Sequence, residues 1–165
     1  MKCSTKLINV MLLLAISMLQ VNCSRSRDHA NGGAVQNDFP PMVVTSLDGT
    51  QLNVKELTGK VVLILFQTDC DHCQREAIAI QQNISSFRAY SLYFITTTAP
   101  SDIEAFANQY QLASYPNVHF CRTSNQSILE SFGPIDAPSL YIYSDRKLIK
   151  SFIGETNINE ILKYL

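Results

Sequence analysis

The chain has no tryptophan, and its 165 residues include only six glycines and six prolines. That scarcity excludes collagen-like and low-complexity architectures. An excess of either charge is missing as well: 13 Lys and Arg face 14 Asp and Glu, a formal net charge of −1. No basic stripe marks a nucleic-acid surface, so no nucleic-acid partner is expected, and no acidic block marks a solvating tail. A membrane-length apolar run is also absent. The most apolar stretch, Leu7 to Leu19, is about 13 residues long, whereas a spanning helix needs about 20.

What that stretch does fit is the core of an export signal. Lys2 and Lys6 give it a positive start, and it ends at Leu19-Gln20-Val21-Asn22-Cys23. This ending resembles the lipobox of bacterial lipoproteins, which implies lipidation at Cys23; an ordinary cleaved signal or an uncleaved anchor is the alternative. Gln20 and Asn22 depart from the pattern, which prefers apolar and small residues there. The expected organisation is a signal peptide over 1–22, a lipidated Cys23 opening a polar, Gly32-Gly33-containing tether over 23–38, and one domain over 39–165. At roughly 140 residues, the exported part can bury enough surface to fold without a disulfide or metal. The protein is then expected to face the periplasm, held to the membrane by its N-terminal lipid.

Cysteine usage agrees with that organisation. Of five cysteines, Cys3 lies in the signal and Cys23 would carry lipid. Cys70, Cys73 and Cys121 remain, which reads as one functional pair and a leftover rather than a disulfide framework. Cys121 reads best as a small buried hydrophobe.

The periodicity predicts a hairpin around Asp48-Gly49, with strands over 42–47 and 50–52. Val61 to Phe66 is an unbroken apolar, β-branched run, as expected of a strand buried on both faces. A helix is expected over 71–88, with apolar positions at Ala77, Ile80, Ile84 and Phe87. Further on come a strand over 92–96, a helix opened by Ser101-Asp102-Ile103-Glu104 in capping-box spacing and running to 112, and a strand over 117–122. A helical turn over 127–132, a second hairpin over 140–153 and a last helix capped by Thr156 complete the chain. Alternating strands and helices imply an α/β fold with a mainly parallel central sheet, made mixed by the late hairpin.

Cys70-Asp71-His72-Cys73 sits where the buried strand ends and a helix begins. A helix start presents free N–H groups and partial positive charge, which stabilise a thiolate on the first cysteine. The second cysteine, one turn on, is placed to resolve a mixed disulfide. His72 can add positive charge near Cys70, whereas Asp69 and Asp71 oppose the thiolate, so the direction of electron flow stays open. No cofactor is required, because the pair itself stores two electrons. A zinc site is disfavoured, since four ligands are wanted and the only other candidates are His72, which lies inside the pair, and His119 and Cys121, which are isolated in the sequence. A purely structural disulfide across so short a loop would remove little chain entropy.

Together these segments resemble the TlpA/ResA-like branch of the thioredoxin superfamily. The resemblance runs from Phe39 to Leu165. It is carried by Phe39-Pro40 with Leu47-Asp48-Gly49, by Leu57-Thr58-Gly59-Lys60-Val61-Val62-Leu63, by Cys70-Asp71-His72-Cys73-Gln74-Arg75-Glu76 and by Ala137-Pro138-Ser139-Leu140-Tyr141-Ile142. It implies a thioredoxin-like fold with an N-terminal hairpin extension. It also implies a thiol–disulfide oxidoreductase whose partners are protein disulfides or dithiols and an upstream redox protein. By the same resemblance Cys70 is the nucleophile, Cys73 the resolving thiol and Pro138 a cis-proline lying against the pair. Glu76 either tunes the thiols as proton acceptor or is an ordinary exposed helix carboxylate; Asp71 and His72 are the thiol-tuning residues. Departures include Asp69 where the family has Trp, leaving Phe66 as a candidate aromatic for docking, and Ile64 where thioredoxins place a buried Asp. Two other functions remain open. One is a copper chaperone using Cys70, Cys73 and a histidine such as His119. The other is a thiol peroxidase, although Thr68 stands two residues before Cys70, not three.

Overall fold

A computed structural model describes residues 37–165. The expected signal, Cys23 and most of the tether lie outside these residues. Among the described residues no helix is long and apolar enough to cross a membrane.

The chain runs through strands β1 (Val43–Ser46), β2 (Gln51–Asn53) and β3 (Lys60–Leu65), then helix α1 (Asp71–Gln82). Strand β4 (Ser91–Thr96), helix α2 (Pro100–Gln109), strand β5 (Val118–Arg122) and helix α3 (Asn125–Phe132) follow. Strands β6 (Ser139–Ser144) and β7 (Lys147–Ile153) and helix α4 (Ile158–Leu162) complete it. All seven strands form one sheet in the order β2-β1-β5-β4-β3-β6-β7. The centre, β5-β4-β3, is parallel, and the hairpins at both ends pair antiparallel. This is the mixed sheet expected from the alternation of elements, and the hairpin β1-β2 is the N-terminal extension that the resemblance to the thioredoxin superfamily implies.

Strand β3 lies in the middle and is buried on both faces, as its unbroken apolar run predicts. Its even residues, Val62 and Ile64, and Phe66 beyond it join a core with Cys73, Ala77, Ile80, Phe94, Ile103 and Ile161, under α1, α2 and α4. Its odd residues, Val61, Leu63 and Leu65, pack on the other face with Phe39, Met42, Val44 and Cys121, beneath α3 and the N-terminal segment. The period of two along a strand thus divides the molecule into two cores. Asn37 and Asp38 already belong to this body, since the Asp38 N–H donates to the Arg146 carbonyl at 2.8 Å and Asp38 Oδ2 accepts from the Leu148 N–H at 3.0 Å.

Several element boundaries differ from expectation for local reasons. Helix α1 stops at Gln82, not 88, because Asn83 turns its side-chain amide back to the Ala79 carbonyl at 2.9 Å and a 3₁₀ turn, Ile84–Phe87, takes over. Helix α2 starts one residue before the capping box: Pro100 occupies the first turn, where its missing N–H costs nothing, so Ser101 lies inside the helix. Helix α4 is capped by Asn157, whose side chain accepts from the Asn159 N–H, while the Thr156 hydroxyl donates to the Gly154 carbonyl instead.

Candidate active site

Cys70 is the N-cap of α1. Its backbone is extended, and its sulfur accepts the N–H of Cys73 at 3.3 Å, while its carbonyl accepts the N–H of Gln74 at 3.0 Å. The sulfur therefore occupies the place a serine or aspartate oxygen takes at an ordinary helix start, facing N–H groups with no helical partner. From the opposite side it approaches the Ala137 carbonyl at 3.7 Å. The Ala137–Pro138 peptide bond is cis, so the cis-proline loop does lie against the cysteine.

Cys73 lies one turn deeper. It is 2% exposed, whereas Cys70 is half-buried, and its sulfur accepts the Gln67 N–H at 3.5 Å. Burial, and next its contact with the Cys70 sulfur, push the Cys73 thiol far above the ordinary thiol range. Cys70, Cys73 and Cys121 are free thiols. The exposed sulfur is thus the one at the helix mouth, and the sulfur behind it holds its proton.

Residues Cys73, Glu76, Ala77 and Ile80 form the buried face of α1, at the i, i+3, i+4, i+7 spacing of one helical stripe. Glu76 is consequently not an exposed carboxylate: it is 3% exposed. Its Oε2 accepts the Thr156 N–H at 3.4 Å, and among the described residues its Oε1 has no hydrogen-bond partner. Burial raises its pKa to about 7, against the lowering effect of the Thr156 bond and with a further push from Glu155. A carboxyl that titrates near neutrality stands one turn from the buried thiol.

His72 and Arg75 point away from this core and meet Glu155, in the loop between β7 and α4. The pattern of residues around the CxxC motif gave no sign of Glu155, which lies 80 residues from Arg75. Asp71 is the first residue of α1 and exposed. Phe66 is not available for docking: it is buried, and its ring packs against Phe94, Phe106 and Phe120.

The other candidate ligands are not brought to the pair. His119 stacks on Tyr93 with ring centroids 4.7 Å apart, on the sheet face that holds Cys121, opposite the face that holds Cys73. The Cys121 sulfur lies 3.8 Å from the Ser46 hydroxyl. Thr68 uses its carbonyl to accept the Gln74 side-chain amide at 3.1 Å. Among the described residues no three His, Cys, Asp or Glu side chains gather as a metal site.

The AhpC/TSA family pattern matches residues 35–151. The chain belongs to the AhpC/TSA family. Among curated proteins it is similar to the thiol-disulfide oxidoreductase ResA of Bacillus thuringiensis (strain Al Hakam), 27% identical over 136 residues that cover 79% of this chain and 76% of that one. Among solved structures it is similar to MTB dsbF, with a TM-score of 0.66 and 18% identity over 79% of this chain and 96% of the other. Arabidopsis thaliana ScoI with copper bound shares the fold at a TM-score of 0.61 and 14% identity, over 76% and 93% of the two chains. The thioredoxin-like fold is common to this AhpC/TSA member and these structures.

Proposed function

We propose that this protein is a thiol–disulfide oxidoreductase working through Cys70 and Cys73 on protein substrates. The observation that carries this reading is the setting of the Cys70 sulfur. It is half-exposed, held between the Cys73 N–H and the Ala137 carbonyl beside cis-Pro138, with a second thiol directly behind it. Similarity to ResA supports the same chemistry.

In the reducing direction the Cys70 thiolate attacks one sulfur of a substrate disulfide. That S–S bond breaks, a mixed disulfide forms, and one substrate thiolate leaves. Cys73 then gives up its proton and attacks the Cys70 sulfur, and the second substrate thiolate leaves. Two electrons pass to the substrate, and the pair becomes a disulfide. Glu76 is the group placed to take the Cys73 proton, because it shares the buried face of α1 and titrates near 7. Running the same steps backward oxidises a substrate dithiol. Pro138 lies where an extended substrate backbone would pass the reactive sulfur, and Asp71 and His72 tune the field at the helix mouth. A redox partner protein restores the pair.

We further propose that the protein is exported, anchored through lipid on Cys23 and faces the periplasm. The positive start, the short apolar core and the lipobox-like ending before Cys23 support this. Replacing Cys23 by Ser should move the protein from the membrane fraction to the soluble fraction.

The enzyme reading is tested by insulin reduction. Wild type should turn over with a thiol donor, and Cys70→Ser should fall to background. Equal turnover in the two would end the assignment.

A further inference from the structure

The loop between β7 and α4 holds the site from two sides. Gly154, at a φ of +81° that favours glycine, donates its N–H to the Pro138 carbonyl at 2.8 Å. Thr156 donates its N–H to Glu76. Between them, Glu155 accepts a two-pronged bond from Arg75, Nε to Oε1 at 2.8 Å and Nη2 to Oε2 at 2.6 Å. Its Oε2 also lies 2.5 Å from His72 Nδ1, and Arg75 Nη2 lies 2.7 Å from that same nitrogen. His72 stands between the two cysteines, and Arg75 follows Cys73 by two residues.

We propose that Glu155 is a positioning residue that sets the redox poise of the Cys70–Cys73 couple, by offsetting the charge of Arg75 and holding His72 at the mouth of α1. The inference rests on the thiol–disulfide reading above. A cation near Cys70 favours its thiolate, and a stabilised thiolate favours the reduced form of the pair. Arg75 is the cation placed to do this. It stands on α1, the helix that Cys70 caps, five residues on from that sulfur, and Glu155 holds its guanidinium on both Nε and Nη2. Glu155 masks that charge at hydrogen-bond distance. Asp69, Asp71 and, when ionised, Glu76 are the other anions around the helix start. Removing the Glu155 charge therefore unmasks a cation and shifts the couple toward dithiol. Removing the Arg75 charge unmasks an anion and shifts it toward disulfide.

The test is equilibration of the full protein with glutathione at pH 7: disulfide plus two glutathione gives dithiol plus glutathione disulfide. Glu155→Gln keeps the shape of the side chain and should move the equilibrium constant about threefold toward dithiol. Arg75→Gln should move it about threefold toward disulfide, and Glu155→Asp should stay near wild type. Both shifts should shrink in 1 M salt, where the screening length falls to about 3 Å. A purely structural role for the loop would not produce opposite signs or salt dependence. A missing shift in either variant, shifts of one sign, or insensitivity to salt overturns the proposal while leaving the oxidoreductase reading intact. A wild-type pair that never exchanges with glutathione removes that reading and this inference with it.

Discussion

Glu76 gives one carboxylate oxygen to the Thr156 backbone N–H and, among the described residues, leaves the other buried without a partner. An uncompensated carboxyl inside a core is costly when charged. It lies on the stripe that carries Cys73, where the proposed mechanism uses it as proton acceptor.

A stability profile against pH should show this cost. Burial raises the Glu76 pKa from 4.5 in the unfolded chain to about 7 in the folded one. Between those values the unfolded chain is ionised and the folded one is still protonated, so stability falls as pH rises from about 4.5 to about 7 and is level above. The full drop is about 3 kcal/mol at most. Glu76→Gln should remove this slope in urea titrations at pH 5 and pH 8 and be the more stable protein at pH 8. Unchanged pH dependence would mean the carboxyl is solvated. The same variant should slow turnover while leaving the first alkylation of Cys70 near its wild-type rate.

The opposite shift occurs at Glu155. Its bonds to Arg75 and then His72 hold its pKa at about 2, so the stability it adds is present above about 4.5 and is lost as pH falls toward 2. In acid titrations, Glu155→Gln should track wild type below pH 2 and separate from it only above. A constant offset at every pH would show that the loop is held by something other than this charge.

How much of this was legible in the sequence depends on how local the cause is. The two-faced strand, the helix start at Cys70 and the cis-proline loop are each written in a few adjacent residues: the apolar run 61–66, the CxxC spacing and Ala137-Pro138. The burial of Glu76 was also within reach, because Cys73, Glu76, Ala77 and Ile80 share one helical face. The Glu155 contacts were not, since they join residues about 80 positions apart that only the sheet order brings together. Local rules also compete. The capping box at Ser101 is bypassed because Pro100 starts the helix one residue earlier, with Ala99 as an N-cap that makes no side-chain bond, and Thr156 lost the cap to Asn157, whose side chain accepts the Asn159 N–H.

Phe66 should prove a structural residue rather than a docking one. Its ring contacts Phe94, Phe106 and Phe120 directly ahead of the loop that leads to Cys70. Phe66→Ala should cost about 3–5 kcal/mol in urea unfolding, as truncations of buried aromatics do. A loss below 1 kcal/mol would point instead to an exposed ring.

Thiol reactivity separates the cysteines. Cys121 is fully buried, and burial, with a smaller contribution from Asp48, raises its thiol despite the Ser46 contact. Brief iodoacetamide treatment of the reduced native protein, read by peptide mapping, should label Cys70 first. Cys73 and Cys121 should label only after unfolding. Early labelling of Cys121 would give it a role beyond packing.

The division of labour between Cys70 and Cys73 gives the sharpest expectation. Cys73 sits behind Cys70 with its thiol pushed up by burial, so on the proposed mechanism Cys70 leads the attack and Cys73 ends it. Cys73→Ser keeps the exposed sulfur, its cap position and the Ala137 contact while removing the resolving thiol. This variant should accumulate mixed disulfides with substrate proteins, visible as slow bands on non-reducing gels that vanish with reductant. Cys70→Ser should accumulate none. If Cys70→Ser traps substrates and Cys73→Ser does not, the order of the two sulfurs is reversed, and the helix-mouth geometry does not select the nucleophile.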